Sequence, residues 1–179
     1  MKCKYYGCSS LESIVIPASV TSIGDWAFNS CSSLCSVTIP NGITTINSST
    51  FAGCSSLTSV TIPNSVTFIS GGAFEKCISL TSIVIPEGVT YIGEFAFSQC
   101  SGLKTISIPK SVTSIITGAF SNCSSLKDFY CHAQSLPEMS DGVFGNSSIS
   151  SATLHVPAES LDAYRNTAPW SGFGTKVAL

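Results

Sequence analysis

Apolar and polar positions alternate in short bursts along this chain, and the bursts return every 23 residues. One cycle runs from Leu57 to Cys77, LTSVTIPNSVTFISGGAFEKC. Leu57, Val60 and Ile62 are apolar, while Thr58, Ser59 and Thr61 are polar. Alternation among β-branched residues that stops at Pro63 predicts a short strand. Proline has no N–H for a ladder and fixes φ, so it ends the strand and turns the chain. Asn64-Ser65 then fits a tight turn. Val66 and Ile69 point inward from a second extended stretch. Gly71-Gly72 lead into Ala73-Phe74, a short helical or turn-like segment that drops a ring into the interior. Cys77 follows as a small apolar plug.

The cycle recurs without insertion. Pro17, Pro40, Pro63, Pro86 and Pro109 keep the step, as do Leu11, Leu34, Leu57, Leu80, Leu103 and Leu126. Phe28, Phe51, Phe74, Phe97 and Phe120 form a third column, and Cys8, Cys31, Cys54, Cys77, Cys100 and Cys123 a fourth. Such a period marks a repeat architecture. One coil cannot bury its own apolar residues, but coils stacked at the ~4.8 Å strand spacing can. The leading strands then form a parallel sheet, and the crossover rule makes the solenoid right-handed. The predicted fold is a β-rich, α/β-type repeat solenoid. Its tightly spaced sheet lies on the concave side, with short turns or helical segments on the convex side.

Residues 1–131 hold five full cycles and a truncated first coil; residues 132–179 read as an irregular last coil and a C-terminal cap. In that tail Leu154-His155-Val156-Pro157 repeats the strand-then-proline signature. ESLDAYR reads as a short helix with Leu161 and Tyr164 on one face, and Trp170 and Phe173 follow. The chain opens inside a repeat, which suggests a piece of a longer protein.

Composition narrows the function classes. Hydrophobic residues make up 44% and charged residues 10%, with a mean hydropathy of +0.37. That balance is the reverse of a disordered chain's. Hydroxyls replace the missing charge: 34 Ser and 16 Thr. A net charge of −2 without a basic cluster argues against a nucleic-acid surface. No apolar run reaches the ~20 residues needed to cross a bilayer, so membrane insertion by this chain is not expected. The opening MKCKYYGCSS lacks the apolar stretch of a secretory leader.

The nine cysteines are read mainly as reduced core residues. Cys35 takes a strand position held by Thr or Glu elsewhere and points outward, and Cys3 is a second candidate for exposure. The spacings assemble no metal site. Cys131, His132 and Asp128 suggest a nucleophile set by residue type only. Cys131 shares the inward column of Ile108, and the remaining carboxylates are scattered. The chain is therefore read as no enzyme, without cofactor or metal.

Binding chemistry is expected on the outward strand positions. The candidate residues are Thr58, Ser59, Thr61, Thr81, Ser82, Lys104, Thr105, Ser107, Lys127, Asp128 and Tyr130. Small hydroxyls fill the middle of this face, and charge gathers with Tyr130 at its C-terminal end. A broad preorganised surface suits a protein partner or a glycan, and Tyr130 is the best anchor by residue type. β-propensity alone also accounts for Thr at exposed strand positions. A further column, Thr21, Thr44, Thr67, Thr90 and Thr113, admits ice binding as a remote option.

The unit L-x-x-[IV]-x-I-P-x-x-V-T-x-I-x-x-x-A-F-x-x-C-x-x-L resembles the BspA-like leucine-rich repeat from about Tyr5 to Cys131. There are departures: Asn47 and Thr50 stand where Gly24 and Ala27 stand one coil earlier, and Tyr5 replaces Phe in the first coil. The resemblance implies a leucine-rich-repeat solenoid serving as a non-catalytic protein-binding or adhesion module. It implies a bacterial surface or secreted protein, placed at the cell surface or outside the cell, with a host extracellular or cell-surface protein as partner. The alternative is a structural spacer that presents another domain and has no ligand of its own.

Overall fold

Each cycle folds into one coil carrying up to two short strands and a tight turn. The computed structural model describes residues 5–179, so Cys3 lies outside the described residues. The chain is a parallel-sheet β-solenoid of about seven turns with little helix. The leading strands are Ser13–Val15, Ser36–Thr38, Ser59–Thr61, Ser82–Val84, Thr105–Ile108 and Asp128–Cys131. They pair in parallel and step by one cycle: Ser13 faces Ser36, Ser36 faces Ser59, and Thr105 faces Asp128. They fall into two blocks, one ending at Ser59–Thr61 and the next starting at Ser82–Val84.

The second extended stretch is also a sheet. Thr45–Ile46, Phe68–Ile69, Tyr91–Ile92, Ser114–Ile115 and Glu138–Met139 pair in parallel in that order. A third ladder runs through the turns. Phe28 N–H donates to the Thr50 carbonyl at 2.9 Å, Phe51 N–H to Ala73 at 2.9 Å, and Phe74 N–H to Ala96 at 2.8 Å. Most coils are therefore bonded to the next along three rows, the leading sheet being interrupted between Ser59–Thr61 and Ser82–Val84, which leaves few backbone groups unpaired.

Of the two options for the Ala-Phe segment, the structure takes the turn. Two residues per coil hold it open in the left-handed region, with φ between 51° and 72°. One column is Trp26, Ser49, Gly72, Phe95, Gly118 and Gly142; the other includes Ser30, Gly53, Lys76, Gln99, Asn122 and Asn146. A left-handed residue every few positions prevents a helix and aims N–H groups at the next coil. The start of the described chain is likewise a turn over Tyr5–Gly7.

Like residues meet down the interior. Tyr5, Phe28, Phe51, Phe74, Phe97, Phe120 and Phe144 stack ring on ring, with centroids 5.3–5.8 Å apart. Leu34, Leu57, Leu80 and Leu103 are fully buried beside them, as are Cys31, Cys54, Cys77 and Cys100. All eight described cysteines are free thiols. Cys35 is exposed, and so is Cys8, which the column pattern places in the core. Cys8 belongs to the first coil, and among the described residues no coil lies over it. Its neighbours Leu11, Ile14 and Ile16 are only partly buried for the same reason, and Ile14 and Ile16 border a 310 Å³ apolar hollow there.

At the other end the period stretches. Ser114 faces Glu138, and Asp128 faces Thr153. The longer return is taken up by the loop from His132 and by a 3₁₀ turn at Ile149–Ser151. Thr153–Val156 nevertheless rejoins the leading sheet in parallel. A helix, Leu161–Asn166, follows, and a final strand, Thr175–Ala178, lies on Thr153–Val156. Trp170 and Phe173 set their rings edge-on to Phe129 and Phe144, which covers the end of the aromatic stack.

Candidate functional site

Alternation puts Ile106 and Phe129 inside and leaves Thr105, Ser107, Asp128 and Tyr130 on the outer side of the leading sheet. Thr58, Ser59, Thr61, Thr81 and Ser82 lie exposed on the same side in earlier coils. Those five present small hydroxyls in rows, and the Thr58 hydroxyl already donates to the Cys35 carbonyl at 3.3 Å. The other six candidates come together across two neighbouring strands. Lys104 and Lys127 are exposed and joined through the backbone, the Lys127 N–H donating to the Lys104 carbonyl at 2.9 Å.

Tyr130 does not stand alone. His155 lies opposite it in register, and the two rings stack with centroids 4.1 Å apart and planes 10° from parallel. The same imidazole meets Asp128 at 2.9 Å between Nε2 and Oδ1. One histidine thus fixes the ring of Tyr130 and the carboxylate of Asp128, two residues apart on the next strand. Ser107 and His132 pair a step further along, at 3.2 Å between Oγ and Nε2. The sequence reading placed His155 only near the cap, because the stretched last cycle hides its alignment with Tyr130.

The Cys131, His132 and Asp128 set is taken apart. Cys131 faces the interior beneath Ile108's column and shares a hydrogen bond with the Tyr164 hydroxyl at 3.1 Å. That hydroxyl also donates to the Ala133 carbonyl at 2.9 Å. Burial pushes the Cys131 thiol up, away from the thiolate form a nucleophile needs. His132 is exposed and bonds Ser107 instead, while Asp128 is committed to His155. Among the described residues no group of three or more His, Cys, Asp or Glu is placed to hold a metal ion. None of their helices is long and apolar enough to cross a membrane.

The sequence model of the BspA type leucine rich repeat region matches residues 2–127 and 44–166, in six copies. The chain belongs to this family. No curated protein matches it in sequence. Among solved structures, a leucine-rich repeat protein of T. pallidum is 24% identical with a TM-score of 0.65; the match covers 89% of this chain and 80% of that one. The pneumococcal vaccine antigen PcpA gives a TM-score of 0.69 at 19% identity, over 94% of this chain and 41% of that one. A leucine-rich repeat protein of Eubacterium ventriosum gives 0.60 at 30% identity, over 67% and 32%. The chain thus spans well under half the length of the latter two. The first two likenesses speak to the fold alone.

Within this leucine-rich repeat the Lys104, Lys127 and Asp128 side chains border a shallow groove of about 470 Å³, edged by Ser124, Ser148 and Thr153. A second aromatic feature escaped the sequence reading. On the other sheet Phe68 and Tyr91 stack outside the core, with centroids 4.3 Å apart.

Proposed function

We propose that this leucine-rich repeat is a non-catalytic protein-binding module of a secreted or surface-held bacterial protein, engaging its partner through the outer face of the leading sheet. The observation that carries the reading is the seating of Tyr130: its ring lies flat on His155, which Asp128 holds in turn. An aromatic fixed before binding loses little rotamer freedom on contact, and Tyr is among the residues that dominate binding energy. Serine and threonine rows beside it add hydrogen bonds without bulk. The stacked coils make the face rigid, so a partner meets a surface already ordered.

The test is an array of extracellular matrix proteins, cell-surface proteins and glycans probed with the 179-residue chain. A protein hit that is lost in Tyr130→Ala and weakened in Lys127→Ala supports the reading. A hit unchanged by both overturns the siting. An array without any hit favours the spacer role, with which the plain hydroxyl rows of the earlier coils also agree.

A further inference from the structure

We infer that the partner segment seated on this face is an acidic polypeptide stretch, with its carboxylates over Lys104 and Lys127. The inference rests on the reading of the leading sheet given above and specifies its partner. Lys104 and Lys127 immediately precede the adjacent strands Thr105–Ile108 and Asp128–Cys131, one strand spacing of about 4.8 Å apart. Like charges set side by side across a sheet repel. Among the described residues neither ammonium has a carboxylate within 4 Å. The nearest acid in sequence, Asp128, is turned to His155. Asp25, Glu75 and Glu94 sit in the turn segments, away from this sheet. The fold therefore holds two unneutralised cations together on a face of small hydroxyls, with the local carboxylate turned elsewhere. Counter-charge from outside completes the arrangement.

The density of charge decides the class of partner. Nucleic acids, sulfated glycans and anionic bilayers are held by runs or clusters of cations. Here there are two lysines beside Tyr130 and Ser107, in a chain of net charge −2. A peptide carries isolated carboxylates among groups that can stack on Tyr130 and bond Ser107, which matches that mixture.

The experiment is fluorescence anisotropy of labelled poly-L-glutamate titrated with the full chain at low and physiological salt. Saturable binding is expected, weakened several-fold by salt and absent for poly-L-glutamine. Lys104→Glu with Lys127→Glu is expected to lower affinity by at least about tenfold. Lys104→Gln with Lys127→Gln tests the same loss without a new charge, and Lys76→Glu in the turns should bind like the parent. Thermal melts matching the parent show that the variants are folded. No binding at low salt, or undiminished binding by the double variants, overturns the inference. So does binding to heparin or phosphatidylserine vesicles without binding to poly-L-glutamate. A protein partner that depends on Tyr130 but not on the two lysines would sink the acidic segment and leave the sheet-face reading standing.

Discussion

The thiol of Cys77 donates a hydrogen bond to the backbone carbonyl of Phe51, one coil earlier, at 3.3 Å. The relationship repeats: Cys31 to Tyr5, Cys54 to Phe28, Cys100 to Phe74 and Cys123 to Phe97, at 3.0–3.3 Å. The Phe51 carbonyl also accepts the Cys54 N–H at 3.2 Å. The cysteine column is therefore more than small apolar filling; it ties each coil to the turn before it.

Two substitutions separate packing from polarity at that column. Cys77→Ala removes one buried atom and a weak donor, and is expected to cost about 1–2 kcal/mol. Cys77→Asp places a carboxylate among fully buried side chains with no cation near, and is expected to abolish cooperative folding of the neighbouring coils. Urea titrations followed by circular dichroism give both values. A Cys77→Asp protein that unfolded at the parent's midpoint would show that the column does not face the interior.

The same burial makes the fold sensitive to alkali. Desolvation pushes the Cys54 and Cys123 thiols up to about 12, and Cys77 and Cys100 are raised as well. In the unfolded chain these thiols ionise near 8.5. Below that value both states hold the proton, and stability does not depend on it. Above it the unfolded chain releases protons that the native chain keeps, so stability falls as pH rises toward 12. The urea midpoint is expected to be flat up to about pH 8 and to drop steeply by about pH 11. Replacing Cys54 and Cys123 together by Ala should flatten that drop while lowering the midpoint at neutral pH. A parent midpoint that held constant across the range would mean the thiols are not buried as protonated groups.

What the sequence made legible is what one residue type per column can say. Pro63 marks a strand end, and Leu57 and Phe74 mark the interior, because a single physical demand recurs at each position and the period averages out the exceptions. Features that depend on the neighbouring coil did not show. Trp26 and Phe95 adopt φ of 62° and 54°, where bulky residues pay for a left-handed backbone. The Phe95 ring lies against Gly118 of the next coil, where a Cβ would collide with it. That fit is a property of two neighbouring coils of one column, and no single coil shows it. The contact between His155 and Asp128 was hidden by the stretched last cycle. The edge strand Thr175–Ala178 lies outside the 23-residue columns, so no repeated position marked it. The outward sheet positions were readable as outward, but their chemistry was not, since Thr and Ser serve an idle strand as well as a binding one.

Asn47 shows how a departure from the repeat can be a repair. In later coils the residue at its position bonds the preceding coil through the main chain: Ser70 N–H donates to Ile46, Gly93 N–H to Ile69 and Ile116 N–H to Ile92, at 2.8–3.0 Å. At the second coil the side chain does this, the Asn47 amide donating to the Ile23 carbonyl at 2.6 Å. Thr50, the other irregular residue of that coil, donates its hydroxyl to the Asn47 carbonyl at 2.8 Å. The second-sheet ladder begins at Thr45–Ile46, so along this row Asn47 continues the bonding to the preceding coil. Asn47→Ala strips the Ile23 carbonyl of that donor and is expected to cost about 1–2 kcal/mol. Ser70→Ala, which keeps its main-chain donor, is expected to fall within about 0.5 kcal/mol of the parent. Hydrogen exchange would show the Asn47→Ala loss concentrated in the first coil, around Tyr5–Phe28. Equal effects of the two substitutions would mean that the Asn47 side chain does not carry the link.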